Sequence, residues 1–398
     1  MKTHKKKSVR KIQELYRILL VPIVWVLVWI LFRYKRKNKY HLKKGESIIV
    51  LSNHQTDLDN VMVNLSFNRL LHTVATDHIF RKGFVNNFLR ALGAIPKRKA
   101  DIDLRCAKEM SNVLKEGGSL FFFPEGNRVL TDTQFYITPS IGKHLRFYKK
   151  TIVLFNLHGG FGVSPKFGRT FRRGKMWGEI KRILKYEDYK DLSDEELSKI
   201  IINELDVRDV GNGELYKSNK RAEYLENLFY VCPVCGEVET LSSKGNFVNC
   251  SNCGLQVEYT EDLHLKSNNE KFSFKTLNEW YEFEKEWTKK LQIQENQAIF
   301  VGDFVELMTA EPGEKRKKLA KGIMKITDKF LYIGEIKFDL AGVEMGTVVS
   351  CHKLLFQHNG KSYLAVGDKK LNCIKYIFLF NKLDTKMRNE KLDHYFNL

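Results

Sequence analysis

The first half of the chain alternates short apolar runs with amphipathic stretches. Residues 47–51 and 119–123 are mainly apolar runs of strand length, and polar residues follow each of them. Residues 93–99 form a third strand-like piece that ends in cations. Helices are predicted from Asp57, as the capping residue, to about Phe67 and over 101–115. This pattern predicts an α/β fold, a sheet with flanking helices, in which chemistry is expected where strands end.

The last third of the chain has a different pattern. A helix through about residue 291 carries four aromatic side chains that we expect to form a packing face: Trp280, Tyr281, Phe283 and Trp287. Short strands are then predicted at 298–302, 322–327, 330–334, 353–356, 363–366 and 376–380, before a final helix over about 381–395. This order loosely resembles a pleckstrin-homology or GRAM-like domain, with Cys351 and Cys373 expected in its core.

The N-terminal segment is apolar in its middle and basic at both ends. Residues 18–32 are fifteen consecutive apolar residues, and residues 1–44 contain fourteen Lys or Arg against the single Glu14. A fifteen-residue helix rises roughly 22 Å, less than the roughly 30 Å hydrocarbon core of a bilayer. We therefore favour a helix embedded from one face, or re-entrant, over a single-pass helix, and the basic flanks suit anionic lipid.

Two polar runs follow the strands at 47–51 and 119–123. In the first, His54 precedes Asp59 by five positions, and in the second, Phe122-Phe-Pro-Glu-Gly-Asn-Arg128 places an acid and a base in one turn. A histidine that takes a proton from an alcohol needs a carboxylate on its other ring nitrogen, which holds the tautomer and stabilises the imidazolium. Asp59 is within reach of that role, although the H-x4-D spacing alone favours a polar loop at the end of a strand.

Three ordered motifs, NHxxxxD, GAIPKRK and FPEGNR, resemble those of the glycerolipid acyltransferase family that contains the 1-acyl-glycerol-3-phosphate acyltransferases. The resemblance covers about residues 45–185. It implies that His54 is the general base on the acceptor hydroxyl and that Asp59 orients it. It also implies a substrate-binding set: Glu125, Gly126 and Arg128 at the glycerol phosphate, with Lys97, Arg98 and Lys99 as phosphate candidates.

Acyl transfer from a thioester to an alcohol needs a base, a stabilised oxyanion and a positioned acceptor, but neither a metal nor a protein nucleophile. The sequence contains no G-x-S-x-G nucleophile elbow, and Cys106 is expected to be a buried core residue of its helix. A second basic segment, residues 166–185, interleaves cations with Phe167, Phe171 and Trp177. For it we favour contact with a lipid headgroup or coenzyme phosphate over nucleic acid.

Four cysteines form a CxxC, fourteen-residue, CxxC pattern: Cys232, Cys235, Cys250 and Cys253. This spacing is typical of a structural zinc ribbon, in which four thiolates fill the metal and leave no open position for catalysis. A redox pair or two disulfides are the alternatives. Thiolates held by zinc imply a reducing cytosol.

The sequence thus predicts four parts: a basic membrane-anchoring segment (1–44), an acyltransferase domain (45–215), a zinc ribbon (228–260) and a helix with a β-rich domain (270–398). The function expected is that of a membrane-bound acyltransferase that moves a fatty acyl chain from acyl-CoA or acyl carrier protein to a lysophospholipid. The favoured acceptor is 1-acylglycerol 3-phosphate. The alternatives are another acceptor, such as glycerol 3-phosphate, or a non-catalytic membrane adaptor. The expected location is the cell membrane, with the catalytic and zinc domains on its cytoplasmic side.

Overall fold

The computed structural model describes residues 15–388, apart from 16–17, 20, 77–78, 81–83, 98–102 and 312–313. The predicted phosphate candidates Arg98 and Lys99 and the last part of the helix expected to reach residue 395 lie outside the described residues. The chain divides into two compact units. The first takes residues up to 165 and 173–216, and the second takes 166–172 and 217 onward.

Seven strands build the sheet of the first unit: β1 (Lys35–Arg36), β2 (Ile48–Ser52), β3 (His72–Thr76), β4 (Ile95–Lys97), β5 (Leu120–Phe122), β6 (Thr151–His158) and β7 (Trp177–Leu184). Their order across the sheet is β1-β7-β6-β2-β5-β3-β4. The five strands from β6 to β4 are mutually parallel, and β7 runs antiparallel to β6. The sheet is therefore mixed, with its parallel strands ending at one edge.

Among the described residues of this unit, eight helices accompany the sheet: α1 (21–32), α2 (Asp59–Asn64), α3 (Phe84–Ala91), α4 (Leu104–Lys115), α5 (Ile141–Tyr148), α6 (Gly160–Val163), α7 (Tyr186–Tyr189) and α8 (Asp194–Leu205). The central strand β2 is buried at all five residues, as is typical of a parallel strand in a sheet that is covered on both faces. On one face, Ile49 and Leu51 belong to a core cluster with Met110, Leu145 and Ile201 from α4, α5 and α8. These helices hold the strand whose end carries His54.

The strands predicted around both motifs are confirmed within one or two residues. The helix predicted from Asp57 to Phe67 is shorter, because α2 covers only Asp59–Asn64. Asp57 as its cap was wrong: the residue before the helix is Leu58, with no side-chain cap, and the Asp57 carboxylate pairs with Arg128 instead. The helix predicted over 101–115 is α4, and Cys106 is buried in it.

Helix α8 precedes the segment that brings Asp209 into the interior of the first unit. It begins with a capping box, in which Ser193 Oγ accepts from Glu196 N–H and the Glu196 carboxylate accepts from Ser193 N–H. Leu197, Ile201 and Leu205 are buried on its inner face. Residues 206–209 follow the helix and bring Asp209 into the interior of the first unit.

Helix α1 carries most of its apolar side chains in the open. Only Val28 and Phe32 of its described residues are buried, while the side chains of Ile23, Leu27 and Ile30 are 51–60% exposed. Within the part of the chain that the structure describes, no helix combines the length and the apolar character needed to cross a membrane.

The part of the second unit that the structure describes contains eleven strands: β8 (Leu241–Lys244), β9 (Phe247–Cys250), β10 (Gln256–Tyr259), β11 (Leu265–Ser267), β12 (Phe300–Thr309), β13 (Lys318–Ile326), β14 (Phe330–Ile333), β15 (Ile336–Asp339), β16 (Val343–Ser350), β17 (Lys353–His358) and β18 (Lys361–Gly367). The first four form one antiparallel sheet, and the other seven form another in the order β15-β14-β13-β12-β18-β17-β16. Two long helices complete the unit, α9 (Leu277–Lys290) and α10 (Ile374–Arg388).

One element of the second unit differs in type from the prediction. Residues 376–380, predicted as a strand, form the first turns of α10, so the strand was wrong and the last helix begins earlier than residue 381. A fully apolar run of five residues has no periodicity that separates a buried strand from a buried helix. The deciding signal is Asn372, whose side-chain oxygen accepts from the N–H groups of Ile374 and Lys375 and caps the helix.

The basic segment 166–185 is divided between the two units. Residues 166–172 belong to the second unit, where Arg172 is buried, and the rest belongs to the first unit, where β7 begins at Trp177. The guanidinium of Arg172 lies over the rings of Tyr259 and Phe167 at 5.0 and 5.4 Å. Arg172 therefore packs inside the protein and is not among the cations that could meet a phosphate.

Candidate active site

His54 and Asp59 are in direct contact at the carboxyl end of β2. The distance from His54 Nδ1 to Asp59 Oδ2 is 2.9 Å. A carboxylate can only accept, so the shared proton lies on Nδ1 and the lone pair of Nε2 is free to act as a base. Nε2 has no hydrogen-bond partner among the described residues, and the histidine side chain remains 21% exposed. The pair can thus receive a proton from a molecule outside the protein.

The loop around the pair fixes the carboxylate of Asp59. Its Oδ2 also accepts from the backbone N–H groups of Gln55 and Thr56 at 2.6 and 2.8 Å, and its Oδ1 accepts from Thr56 Oγ1 at 2.5 Å. The Asn53 side chain bonds both the N–H and the C=O of Leu157 on β6 at 2.8 Å. Asp59 is fully buried, so this arrangement can orient the imidazole without itself meeting the substrate.

Two residues of the FPEGNR motif, Phe123 and Glu125, contact His54. Phe123 stacks on the His54 ring, with centroids 3.9 Å apart and an interplanar angle of 8°. The carboxyl group of Glu125 accepts from His54 N–H at 3.0 Å and from Phe135 N–H at 2.9 Å. Burial raises the pKa of Glu125 to about 8, although these two amide bonds act in the opposite direction. In this structure Glu125 joins the two motif loops, and contact with a glycerol phosphate remains a prediction for it.

Arg128 is held on two sides by the protein and faces an exposed acid on the third. Its Nε donates to the carbonyl of Gln55 at 3.0 Å, and one terminal nitrogen donates to the carbonyl of Ser164 at 2.7 Å. The other terminal nitrogen lies 2.8 Å from Asp57 Oδ2. The side chain of Arg128 is 12% exposed and that of Asp57 is 83% exposed. An anionic ligand could therefore take the place of Asp57 on a guanidinium that is already positioned.

Of the other predicted site residues that the structure describes, Gly126 lies beside the site and Lys97 lies away from it. Gly126 adopts a φ of +68° in the turn between Glu125 and Arg128, a conformation that favours glycine. Lys97 ends β4 at the same edge of the sheet, but β5 and β3 lie between that strand and β2. His54, Asp59, Glu125 and Arg128 are thus brought together, whereas Lys97 stands apart.

Two buried residues in the site were missed by the sequence reasoning, Gln55 and Asp209. Asp209 accepts from the N–H groups of Gly159 and Gly162 at 2.6 and 3.2 Å, and the Phe161 N–H and the Gln55 side chain also stabilise its charged form as hydrogen-bond donors. Burial raises its pKa to about 6 against the opposing effect of these bonds. Gln55 lies inside the first motif, yet nothing in the sequence connects Asp209 to it.

The four cysteines of the second unit also come together. Their Sγ atoms all lie within 4.8 Å of one another, with Cys232 and Cys253 3.6 Å apart and Cys235 and Cys250 3.8 Å apart. Gly236 and Gly254 follow the two CxxC pairs with φ of +76° and +72°, and each donates its N–H to the carbonyl of the first cysteine of its pair. Sulfur atoms about 3.8 Å apart match tetrahedral zinc with Zn–S distances of about 2.3 Å.

Comparison with known proteins gives three findings. Residues 33–158 match the family described as Acyltransferase. The chloroplastic 1-acyl-sn-glycerol-3-phosphate acyltransferase LPAT1 of Arabidopsis thaliana is 32% identical over 82 residues, 20% of this chain and 23% of that protein. The crystal structure of the 1-acyl-sn-glycerophosphate acyltransferase PlsC of Thermotoga maritima covers 48% of this chain and 80% of its own, at 18% identity and a TM-score of 0.40.

The family match and the geometry concern the same residues. The chain spans less than a quarter of the length of the Arabidopsis relative. The region that matches the family model contains β2, β5 and β6 and the loops that carry His54, Asp59, Glu125 and Arg128. Residues 33–158 are therefore similar to the acyltransferase family in the part of the chain that brings these four side chains together.

Proposed function

We propose that this protein transfers a fatty acyl chain from acyl-CoA or acyl carrier protein to the hydroxyl of a lysophospholipid, with 1-acylglycerol 3-phosphate as the first acceptor to test. The contact between His54 and Asp59, inside the region that matches the acyltransferase family, is the observation that carries the proposal. The name of the Arabidopsis protein suggests the acceptor.

In the proposed reaction, His54 Nε2 takes the proton of the acceptor hydroxyl as its oxygen attacks the thioester carbonyl. Asp59 stabilises the imidazolium that forms. The carbon–sulfur bond then breaks, the carbon–oxygen ester bond remains, and the imidazolium returns its proton to the departing thiolate. Phe123 keeps the imidazole ring in one plane during both transfers.

Arg128 is the residue that we propose for the phosphate of the acceptor. Two of its nitrogens are fixed by backbone carbonyls, so the guanidinium loses little conformational freedom when it binds an anion. The phosphate would replace the Asp57 carboxylate on the remaining nitrogen, where it forms a charge-assisted hydrogen bond. Glu125 contributes by holding the backbone of His54 in place.

The test is an assay of the purified full chain in detergent, with a panel of lysophospholipids and glycerol 3-phosphate as acceptors and with acyl-CoA and acyl carrier protein as donors. Products are identified by mass spectrometry. H54A should abolish turnover without changing the unfolding temperature, because only the proton transfer loses its group. H144A, which removes another histidine of the same unit, is the matched control and should keep its activity.

Each alternative gives a different result in this assay. An acceptor other than 1-acylglycerol 3-phosphate would appear as a preference within the panel, with the same dependence on His54. A non-catalytic adaptor would give no ester product with any pair of substrates. A folded H54A variant that retained full turnover would contradict the mechanism.

We also propose that Cys232, Cys235, Cys250 and Cys253 hold a structural zinc ion. The close approach of the four sulfur atoms and the two glycine turns support this. All four ligands come from the protein, so zinc would stabilise the fold of this region and leave no position for a substrate.

We further propose that α1 places the protein on the cytoplasmic face of the cell membrane. The helix has a row of exposed apolar side chains that includes Ile23, Leu27 and Ile30. Cations follow it at Arg33 and over residues 35–39. Apolar burial in the lipid interface and attraction to anionic headgroups add together in such a segment.

A further inference from the structure

Gln55 is the residue through which the parts of the candidate active site are connected. It follows His54 directly and is buried. Its backbone N–H donates to Asp59, and its backbone carbonyl accepts from Arg128. The position of this one peptide segment therefore sets both the carboxylate that orients the base and the guanidinium proposed for the acceptor phosphate.

The side chain of Gln55 is held from the opposite side by a turn rich in glycine. Its Oε1 accepts from the N–H of Gly160 at 2.9 Å, and its amide also bonds the Asp209 carboxyl group. The turn can come this close because Gly160 has no Cβ: a methyl group there would lie 2.6 Å from Gln55 Oε1 and 2.9 Å from a methyl carbon of Thr56. The contact between the turn and the motif loop is thus direct.

Asp209 holds the turn itself. It is buried, and its two oxygens accept the N–H groups of Gly159 and Gly162 at 2.6 and 3.2 Å. Two amide hydrogens, one on each oxygen of the carboxylate, form a rigid arrangement, because each bond restricts the rotation that would break the other. The Asp209 carboxylate thereby holds residues 159–162 in place, and these residues hold Gln55.

We propose that Asp209 is a positioning residue for acyl transfer, which acts through the 159–162 turn and Gln55 on Asp59 and Arg128. The inference rests on the proposed function. Asp209 has no described contact with His54 or Arg128, so it is not a catalytic residue. Its effect comes from the chain of hydrogen bonds that starts at its carboxylate and ends at the two functional side chains.

The proposal predicts a specific kinetic change. In D209N the side-chain amide must point a donor at a backbone N–H or at the Gln55 amide, so the turn and Gln55 have to shift. A small displacement of a reacting group lowers the rate by about 10- to 100-fold. We expect kcat to fall by that amount, whereas the KM of the acyl donor stays close to that of the wild type.

Three further variants separate positioning from general stability. G160A disturbs Gln55 from the side of the turn without touching Asp209, and it should lower kcat in the same way. Q55E/D209N restores one carboxylate and one amide to the pair, and it should regain part of the rate lost in D209N. D206N changes an acid in the same segment that pairs with Arg208 at the surface, and it should behave as wild type.

The experiment measures kcat, both KM values and the unfolding temperature of all five proteins as full chains in detergent. Lower kcat in D209N and G160A with partial recovery in Q55E/D209N supports the inference. A D209N protein with wild-type kcat overturns it, and so does a loss of rate in D209N without any change in G160A. An absence of turnover in the wild type would overturn the proposed function and this inference together.

Discussion

Glu125 is a carboxyl group enclosed between two backbone amides, and its burial has a consequence for pH. Its pKa of about 8 in the folded protein exceeds the ordinary value of 4.5, so the folded state binds the proton more tightly than the unfolded state. The associated stability is fully present below pH 4.5 and is lost as pH rises through 8. The contribution of Glu125 to the free energy of unfolding should therefore fall as the pH rises from 4.5 to 8.

We expect the E125Q variant to show a flatter dependence of its unfolding free energy on pH between 5 and 8.5 than the wild type. It should also be less stable at pH 5, because its amide group meets a backbone N–H as a second donor. Urea unfolding at a series of pH values measures both effects. E195Q, which changes an exposed glutamate of α8, is the control, and equal slopes in E125Q and wild type would contradict the assignment.

Arg128 and Asp57 give a second prediction at the scale of residues. R128A should raise the acceptor KM by about 10- to 100-fold, since a charge-assisted hydrogen bond contributes roughly 1.5 to 3 kcal/mol. D57N should lower that KM by no more than about 5-fold, because an exposed ion pair contributes at most about 1 kcal/mol.

Steady-state kinetics with both substrates varied would measure these constants. The donor KM should stay the same in D57N. A higher donor KM with an unchanged acceptor KM in R128A would show that the guanidinium binds the donor and would contradict its assignment to the acceptor phosphate.

Helix α1 leads to a prediction at the scale of elements. The double variant L27E/I30E should reduce binding to vesicles of phosphatidylglycerol and phosphatidylcholine by at least about 10-fold, since each buried Leu or Ile side chain contributes roughly 1.5 to 3 kcal/mol. The control L104E/F147E adds the same charges at two exposed apolar positions away from α1. Co-sedimentation with vesicles gives the bound fraction, and equal loss in both variants would show that charge alone is responsible.

The elements that carry the motifs were predictable because their apolar runs are short and followed by polar residues, as in β2, which is fully buried, and β5, which is buried at two of its three residues. The first turns of α10 were not, since an apolar run of five has no period of its own. The contact between His54 and Asp59 could be expected from the motif. The hydrogen bonds of Asp209 could not, because only the folded chain brings it to Gln55.

The two units lead to a prediction for the whole molecule. Zinc is assigned to the second unit and acyl transfer to the first, so each property should be separable from the other. C232S/C235S removes two of four ligands, and we expect the zinc content to fall from about one per chain to near zero. Acyl transfer should continue wherever the first unit stays folded.

Elemental analysis and the acyltransferase rate, measured on one preparation, test both statements. C351S, which changes a buried cysteine outside the group of four, is the control for the loss of a thiol in the second unit. A wild-type protein without zinc would refute the metal site. A rate restored by added zinc in an otherwise folded C232S/C235S protein would refute the separation.

Residues 166–172 have a consequence for the order in which the chain can fold during synthesis. They are made before the end of the first unit, yet Phe167 and Arg172 are buried against residues of the second unit such as Tyr259. During synthesis, the strands and helices that precede and follow this segment in the sequence can therefore assemble before the residues that bury Phe167 and Arg172 have been made. A nascent chain stopped soon after residue 216 should therefore expose Phe167 to chaperones and proteases, and one that extends past Tyr259 should protect it.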